Sequence, residues 1–202
     1  MTAVHAAETA HDEPPSAAIP TATVPRSWWG LALALLGGVM GAGALSDNSF
    51  LTHLATGRII LADGVPLVDP YTFTAGGDPW VVNSWLASWA YATAESAGGL
   101  AAIRVLVAAA TAITVGLVWR TTAPARGVLV RVALVALVVV LSGGWFSERP
   151  QIFAFAAAAG LMVVLRERRS PWWLIPLGMM WVNVHASWPM GLVLIGLWAG
   201  AL

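Results

Sequence analysis

The sequence predicts an all-α fold: a polytopic membrane helix bundle of about six transmembrane helices, with two short amphipathic juxtamembrane helices in the first extracytoplasmic loop. Three observations predict it. Of 202 residues, 58 % are hydrophobic and only 10 % charged, with a mean hydropathy of +0.76, whereas a soluble domain carries about 25 % charged residues. Apolar runs approaching the roughly 20 residues that cross a bilayer core recur between short polar links. Arginines gather in two of those links, as they do in cytoplasmic loops.

Composition also excludes function classes. All ten cationic side chains are Arg, ten acids cancel them, and the net charge of zero leaves no diffuse basic face for nucleic acid. The chain has no cysteine, which removes disulfides, thiolate metal sites, iron–sulfur clusters and a cysteine nucleophile. Twelve Trp against two Tyr suit a protein with long membrane interfaces, because indole is apolar with one N–H that seeks a partner.

Residues 1–26 lack hydrophobic periodicity and hold three acids against one Arg; they read as a disordered cytoplasmic tail before a transmembrane module over 27–202. Trp28 to Leu45 is the first span. A cleaved signal peptide is the rival, since Ala42-Gly43-Ala44 resembles a small-residue cleavage site, but the long non-basic leader fits it poorly. Residues 46–98 form the first outer loop, with five acids against the single Arg58. Within it Phe50, Leu51, Leu54, Gly57 and Leu61 recur at helical spacing, and Asp63-Gly64 and Pro66 end that helix. Trp80, Val81, Trp85, Leu86 and Trp89 give a second apolar face after a turn-rich segment, Pro70 to Asp78. Both helices are expected to lie on the outer membrane surface; a small globular loop domain without lipid contact is the alternative.

Span two covers about Gly99 to Trp119, span three Val128 to Trp145, and span four ends at Leu165. Trp172 to Leu202 is a 31-residue apolar stretch. As one helix it would be about 46 Å long, too long for a core of roughly 30 Å, so it predicts a hairpin turning near His185 to Pro189. The six arginines of the 120–131 and 166–170 links place those links and the N-terminus in the cytoplasm and the acidic loop outside.

On this topology Asp47, His53, Asp69, Glu148, Arg149 and His185 all fall on or near the outer side. Counting helix rise from Leu165 and from Trp172 puts Arg149 and His185 at membrane depth, where an ionisable group needs a cavity or a partner. For Arg149 the alternatives are snorkelling or pairing with Glu148; for His185, a neutral imidazole bonded to backbone. Arg104 reads as a snorkelling side chain. An outward-facing site of carboxylates, one arginine and imidazoles suits a lipid-linked phosphate: Arg holds phosphate oxygens in pairs, and a carboxylate takes the proton of an attacking hydroxyl. Asp47, at the end of a span, is the best-placed base. P-loop, dinucleotide-binding, zincin and nucleophile-elbow motifs are absent.

The segment Asp47-Asn48-Ser49-Phe50-Leu51-Thr52-His53-Leu54-Ala55-Thr56-Gly57-Arg58, followed by Gly64-Val65-Pro66, Asp69-Pro70-Tyr71-Thr72-Phe73-Thr74 and Trp80 to Leu86, resembles the first outer loop of bacterial GT-C-type membrane glycosyltransferase-like proteins. Arg149-Pro150-Gln151 and Trp181-Val182-Asn183-Val184-His185 carry the likeness further, so that it covers about Trp28 to the end. The resemblance implies an enzyme of the plasma membrane that transfers a sugar from a polyprenyl-phosphate donor to an acceptor hydroxyl on the extracytoplasmic side. It implies Asp47 as catalytic base, Arg149 and His185 as contacts to the donor phosphate, and His53, Asp69, Glu148 and Gln151 as further substrate-binding candidates.

The family often has a second acid where this chain has Ser49, a departure that weakens a two-carboxylate or divalent-metal site unless Asp69 or Glu148 substitutes. Full-length enzymes of this type continue into further spans, so the chain is expected to be an N-terminal part of one. A non-catalytic scaffold or carrier of lipid-linked intermediates is the alternative. A secondary transporter fits less well, because no internal repeat is found.

Overall fold

The computed structural model describes residues 25–201, all-α but for one isolated bridge in a loop. The expected N-terminal tail lies outside the described residues apart from Pro25 and Arg26. Seven α-helices follow in order: α1 (Arg26–Gly41), α2 (Asn48–Asp63), α3 (Trp85–Thr121), α4 (Val128–Ser142), α5 (Gln151–Arg166), α6 (Leu174–Val184) and α7 (Pro189–Gly200). Short 3-10 turns over Gly143–Trp145 and Pro171–Trp173 extend α4 and introduce α6.

Helix α3 is the axle, packed against α1, α2, α4, α5 and α6. Its 37 residues hold a kink where Gly99 takes φ 64, a left-handed conformation that costs glycine nothing. The arm before the kink packs on α2, and the arm after it covers the residues read as the second span. The sequence reading is corrected here. The second loop helix begins at Trp85 rather than near Trp80 and runs on through the kink, while Trp80 and Val81 stay in the connecting loop.

Helix α1 buries glycine and exposes leucine. Its buried residues are Gly30, Gly37, Gly38 and Gly41, and a Cβ at Gly41 would stand 2.4 Å from the Thr111 hydroxyl of α3. Leu35 and Val39 are 60 % and 72 % exposed. Small residues at the helix contact and large apolar ones outside are what lipid, rather than water, favours around a bundle. Arg104 closes the end of α1: its Nε and Nη2 donate to the Ala42 carbonyl at 3.0 and 2.7 Å, so it caps a helix where snorkelling was expected.

Helix α2 is set by its ends and one face. The Asp47 side chain accepts from the Ser49 amide at 2.8 Å, an N-cap, and Gly64 follows the last turn. Phe50, Leu54 and Gly57, at i, i+4 and i+7, face inward against Ala87, Tyr91 and Ala92 of α3. Phe50 and Tyr91 meet edge to face with centroids 5.5 Å apart, and Tyr91 also touches Phe153 of α5. The apolar face expected to rest in headgroups is therefore spent mainly on protein, leaving Leu51 and Leu61 outside. Between α2 and α3, Val68 bridges Pro79, and Trp80 N donates to the Leu67 carbonyl at 2.9 Å.

Two helices are long and apolar enough to cross a membrane: α3, and α4 with its 3-10 turn over Val128–Trp145. Helices α5 and α7 are apolar but shorter. The helix breaks between His185 and Trp188, and Gly191 of α7 sits against the Trp181 ring of α6, while α7 otherwise packs on α5. With 11 and 12 residues, α6 and α7 are about 16 and 18 Å long, short of the roughly 30 Å core.

Candidate functional site

A cavity of about 410 Å³ opens where α2, the start of α3, the start of α5 and the α6–α7 turn converge. Four of the predicted residues line it: His53, Arg149, Gln151 and His185. They come from three separated stretches of chain, and packing supplies the convergence. His53 follows the buried face of α2; Arg149 and Gln151 open α5; His185 ends α6 in an extended conformation.

Asp47 stands behind this wall. Its carboxylate accepts from the Ser49 amide and hydroxyl and from Nε of Arg149. Its side chain is 11 % exposed, against 43 % for Arg149. Burial opposes the charge, but the donors of Ser49 and Arg149 outweigh it and hold the carboxyl below its usual range. Glu148, 2 % exposed, accepts from the Asp47 amide at 2.5 Å and so fixes the residue's backbone. The alternative pairing of Arg149 with Glu148 is not formed; Arg149 pairs with Asp47.

His53 Nδ1 lies 3.1 Å from the Ser88 hydroxyl of α3. Burial and then the nearby His185 lower its pKa, with Asp47 acting in the opposite sense. His185 Nδ1 accepts from the Ser187 amide at 3.1 Å, so the ring's proton belongs on Nε2, and burial keeps this imidazole neutral as well. Both the Ser187 hydroxyl and the imidazole are tied to α6, because Trp181 Nε1 donates to that hydroxyl at 3.1 Å. Gln151 lines the cavity, and its buried Nε2 has no partner among the described residues.

Asp69 is not part of the cavity. Its carboxylate accepts from the amides of Tyr71 and Thr72 at 2.7 and 3.2 Å, building the turn of the 65–84 loop, and these bonds together with the Thr72 hydroxyl lower its pKa. That loop is anchored on α2 through Tyr71 Oη and the Thr56 hydroxyl, 2.9 Å apart. Asp69 thus builds a turn of the loop and does not line the cavity.

Sequence reasoning missed Ser88, Asn183 and Ser187. Ser88 is fully buried on the α3 face that meets α2, and a lone hydroxyl within an apolar helical stripe was the available signal. Asn183 Oδ1 accepts from Trp85 Nε1 at 2.6 Å, tying α6 to the first turn of α3 and fixing one side of the cavity. Among the described residues no group of three or more His, Asp or Glu is arranged to hold a metal ion.

The wall thus offers one guanidinium with only Nε engaged, two neutral imidazoles, the amides of Asn83 and Gln151 and several hydroxyls, with the carboxylates of Asp47 and Glu148 behind it. Such a donor-rich set is chemically suited to an oxyanion, and among the described residues Arg149 is the one cation in the wall. Comparison with protein-family models, curated proteins and solved structures returned no match.

Proposed function

We propose that the cavity receives the phosphate of a polyprenyl-phosphate sugar and that the chain acts as a GT-C-type glycosyltransferase, or as the N-terminal part of one. The protein is read as a six-span plasma-membrane protein with its N-terminus in the cytoplasm and the cavity on the extracytoplasmic side. In support, the cavity lies at the Arg149 end of α5, and the arginine-rich links lie about 24 Å away at its other end.

The observation that carries the reading is the Asp47–Arg149 pair at the edge of a cavity otherwise furnished with neutral donors. A donor phosphate competes with Asp47 for the guanidinium. Once Arg149 turns to the phosphate, Asp47 loses its cationic partner and becomes a better base. The acceptor oxygen then attacks the anomeric carbon, its proton passes to Asp47, and the bond to the phosphate oxygen breaks with Arg149 holding the leaving phosphate. Neutral His53 and His185 contribute hydrogen bonds without adding charge.

The direct test is transfer from polyprenyl-phosphate sugars by protein in membranes. Asp47→Asn should lower turnover by about 10²-fold or more with donor binding retained, and Arg149→Gln should weaken donor binding. Undiminished transfer by Asp47→Asn refutes the base assignment. One observation favours a binding protein without chemistry: Asp47 is off the cavity wall and already holds Ser49 and Arg149. Donor binding without turnover by the wild-type protein selects that reading.

A further inference from the structure

A second cavity, of about 550 Å³, lies at the opposite end of the bundle among the start of α1, the end of α3, the start of α4 and the end of α5. Its size falls within the roughly 300–1,000 Å³ of small-molecule sites. Ser27, Arg120, Arg131 and Arg166 line its polar end, and Leu31 and Ala34 its apolar one. The arginines do more than orient the chain. Arg131 is 7 % exposed, with its guanidinium stacked 3.8 Å over the Trp119 ring and Nη2 donating to the Trp119 carbonyl at 2.9 Å. It has no carboxylate partner among the described residues, and the charges of Arg26 and Arg166 bear on it.

Glu167 is the single acid of this wall, and it is shared. It accepts from Arg120 at 2.6 and 2.9 Å, from Arg169 at 3.0 Å and from Arg166 at 3.3 Å. Arg166 gains least from it, and its buried Nε has no partner among the described residues. The N-terminus of α1 adds the same sign of charge beside Ser27: its N-cap is Pro25, which makes no side-chain cap, and the Trp28 N–H is taken by the Pro25 carbonyl at 3.0 Å.

We propose that this cavity binds the phosphodiester headgroup of an anionic glycerophospholipid, held by Arg131, Arg166 and Ser27. The shared chemistry is phosphate, and the shape argues for the lipid: Leu31 and Ala34 continue the polar end down the outward side of the bundle, where an acyl chain lies. Basic pockets between spans on the cytoplasmic side are suited to such headgroups.

Native mass spectrometry of the full chain in detergent tests this, with phosphatidylglycerol and phosphatidylcholine of equal chain length offered together. Retention of phosphatidylglycerol should exceed that of phosphatidylcholine by about tenfold, and Arg131→Gln or Arg166→Gln should remove the preference. Arg131→Gln also loses the Trp119 stack, so Arg166→Gln, checked for an unchanged helical spectrum, carries the comparison. Arg149→Gln, at the other end, should keep the preference. Equal retention of the two lipids, or a preference unaltered in Arg166→Gln, or lost equally in Arg149→Gln, overturns the site. Displacement of the lipid by millimolar inorganic phosphate, with equal stabilisation by phosphate alone, overturns the lipid assignment in favour of a soluble phosphate.

Discussion

Replacing Gly57 by alanine tests whether the α2–α3 crossing positions the cavity. A Cβ at this position would stand 2.0 Å from the Ser88 carbonyl oxygen and 2.8 Å from the Ala92 Cβ. The nearest atom is backbone in the first turn of α3, so no rotamer change relieves the clash. The helices must separate by roughly 1.4 Å or more to restore ordinary contact. Overpacking of this kind costs about 1–3 kcal/mol. The same shift would stretch the 3.1 Å contact between His53 Nδ1 and the Ser88 hydroxyl beyond hydrogen-bond range. Gly178→Ala in α6 is the control, since nothing lies within 4 Å of a Cβ there and only helix propensity changes. In detergent, Gly57→Ala should melt about 2–12 °C below Gly178→Ala. Binding of a polyprenyl-phosphate sugar should weaken in Gly57→Ala and hold in Gly178→Ala. Equal melting of the two variants would refute the close crossing.

Trp85→Phe removes the donor to Asn183 while keeping most of the ring, so thermal denaturation should show a loss of about 1 kcal/mol, largely absent when Asn183 is already alanine. Acid titration separates the two ends of the bundle. Asp47 has its folded-state pKa lowered from 3.8, so the stability its charge confers is present above that value and lost as pH falls through the folded one. The melting difference between wild type and Asp47→Asn should therefore close below about pH 4. Hydrogen bonds from Arg120, with Arg169 adding to them, push Glu167 from 4.5 down to about 2, so the difference between wild type and Glu167→Gln should be full above about pH 4.5 and close only toward 2. A Glu167→Gln difference that has already closed at about pH 4 would refute the hold of the arginines on Glu167.

Helix boundaries were legible where chemistry punctuates the chain. Asp47 before a periodic run, Asp63-Gly64 after it, and Pro150 and Pro189 beside new helices mark ends that the structure reproduces closely. The α3 start was not legible, because Trp80 and Val81 match the apolar period of the residues that follow, and only the tertiary bridge of Val68 to Pro79 holds them extended. The burial of α1 was hidden for a different reason: hydropathy favours its leucines, while close helix contact selects its glycines. Of the site, His53, Arg149, Gln151 and His185 were found because polar groups in apolar surroundings stand out. That Asp69 would lie away from the cavity was not legible, because a carboxylate before proline reads alike whether it binds substrate or builds a turn. Arg131 was read as a topology signal, since its stack on Trp119 depends on a contact between helices.

The ionisation of Asp47 bears most directly on what chemistry the outer cavity supports. A base must accept a proton, and every interaction seen at this carboxylate stabilises its unprotonated form. Two of those donors belong to Ser49 and are intrinsic to the α2 cap, so they persist in any state in which α2 is folded. Arg149 is different: it belongs to α5, and its side chain is 43 % exposed, free to swing toward an incoming anion. The basicity of Asp47 is thus set by where Arg149 points, and a phosphate in the cavity is the natural competitor for it. Ser49, which replaces the second acid expected by resemblance, holds Asp47 as a cap rather than joining it at a metal. On the proposed reading, proton transfer would rest on one movable cation and one fixed carboxylate, a pair that is closed in this structure.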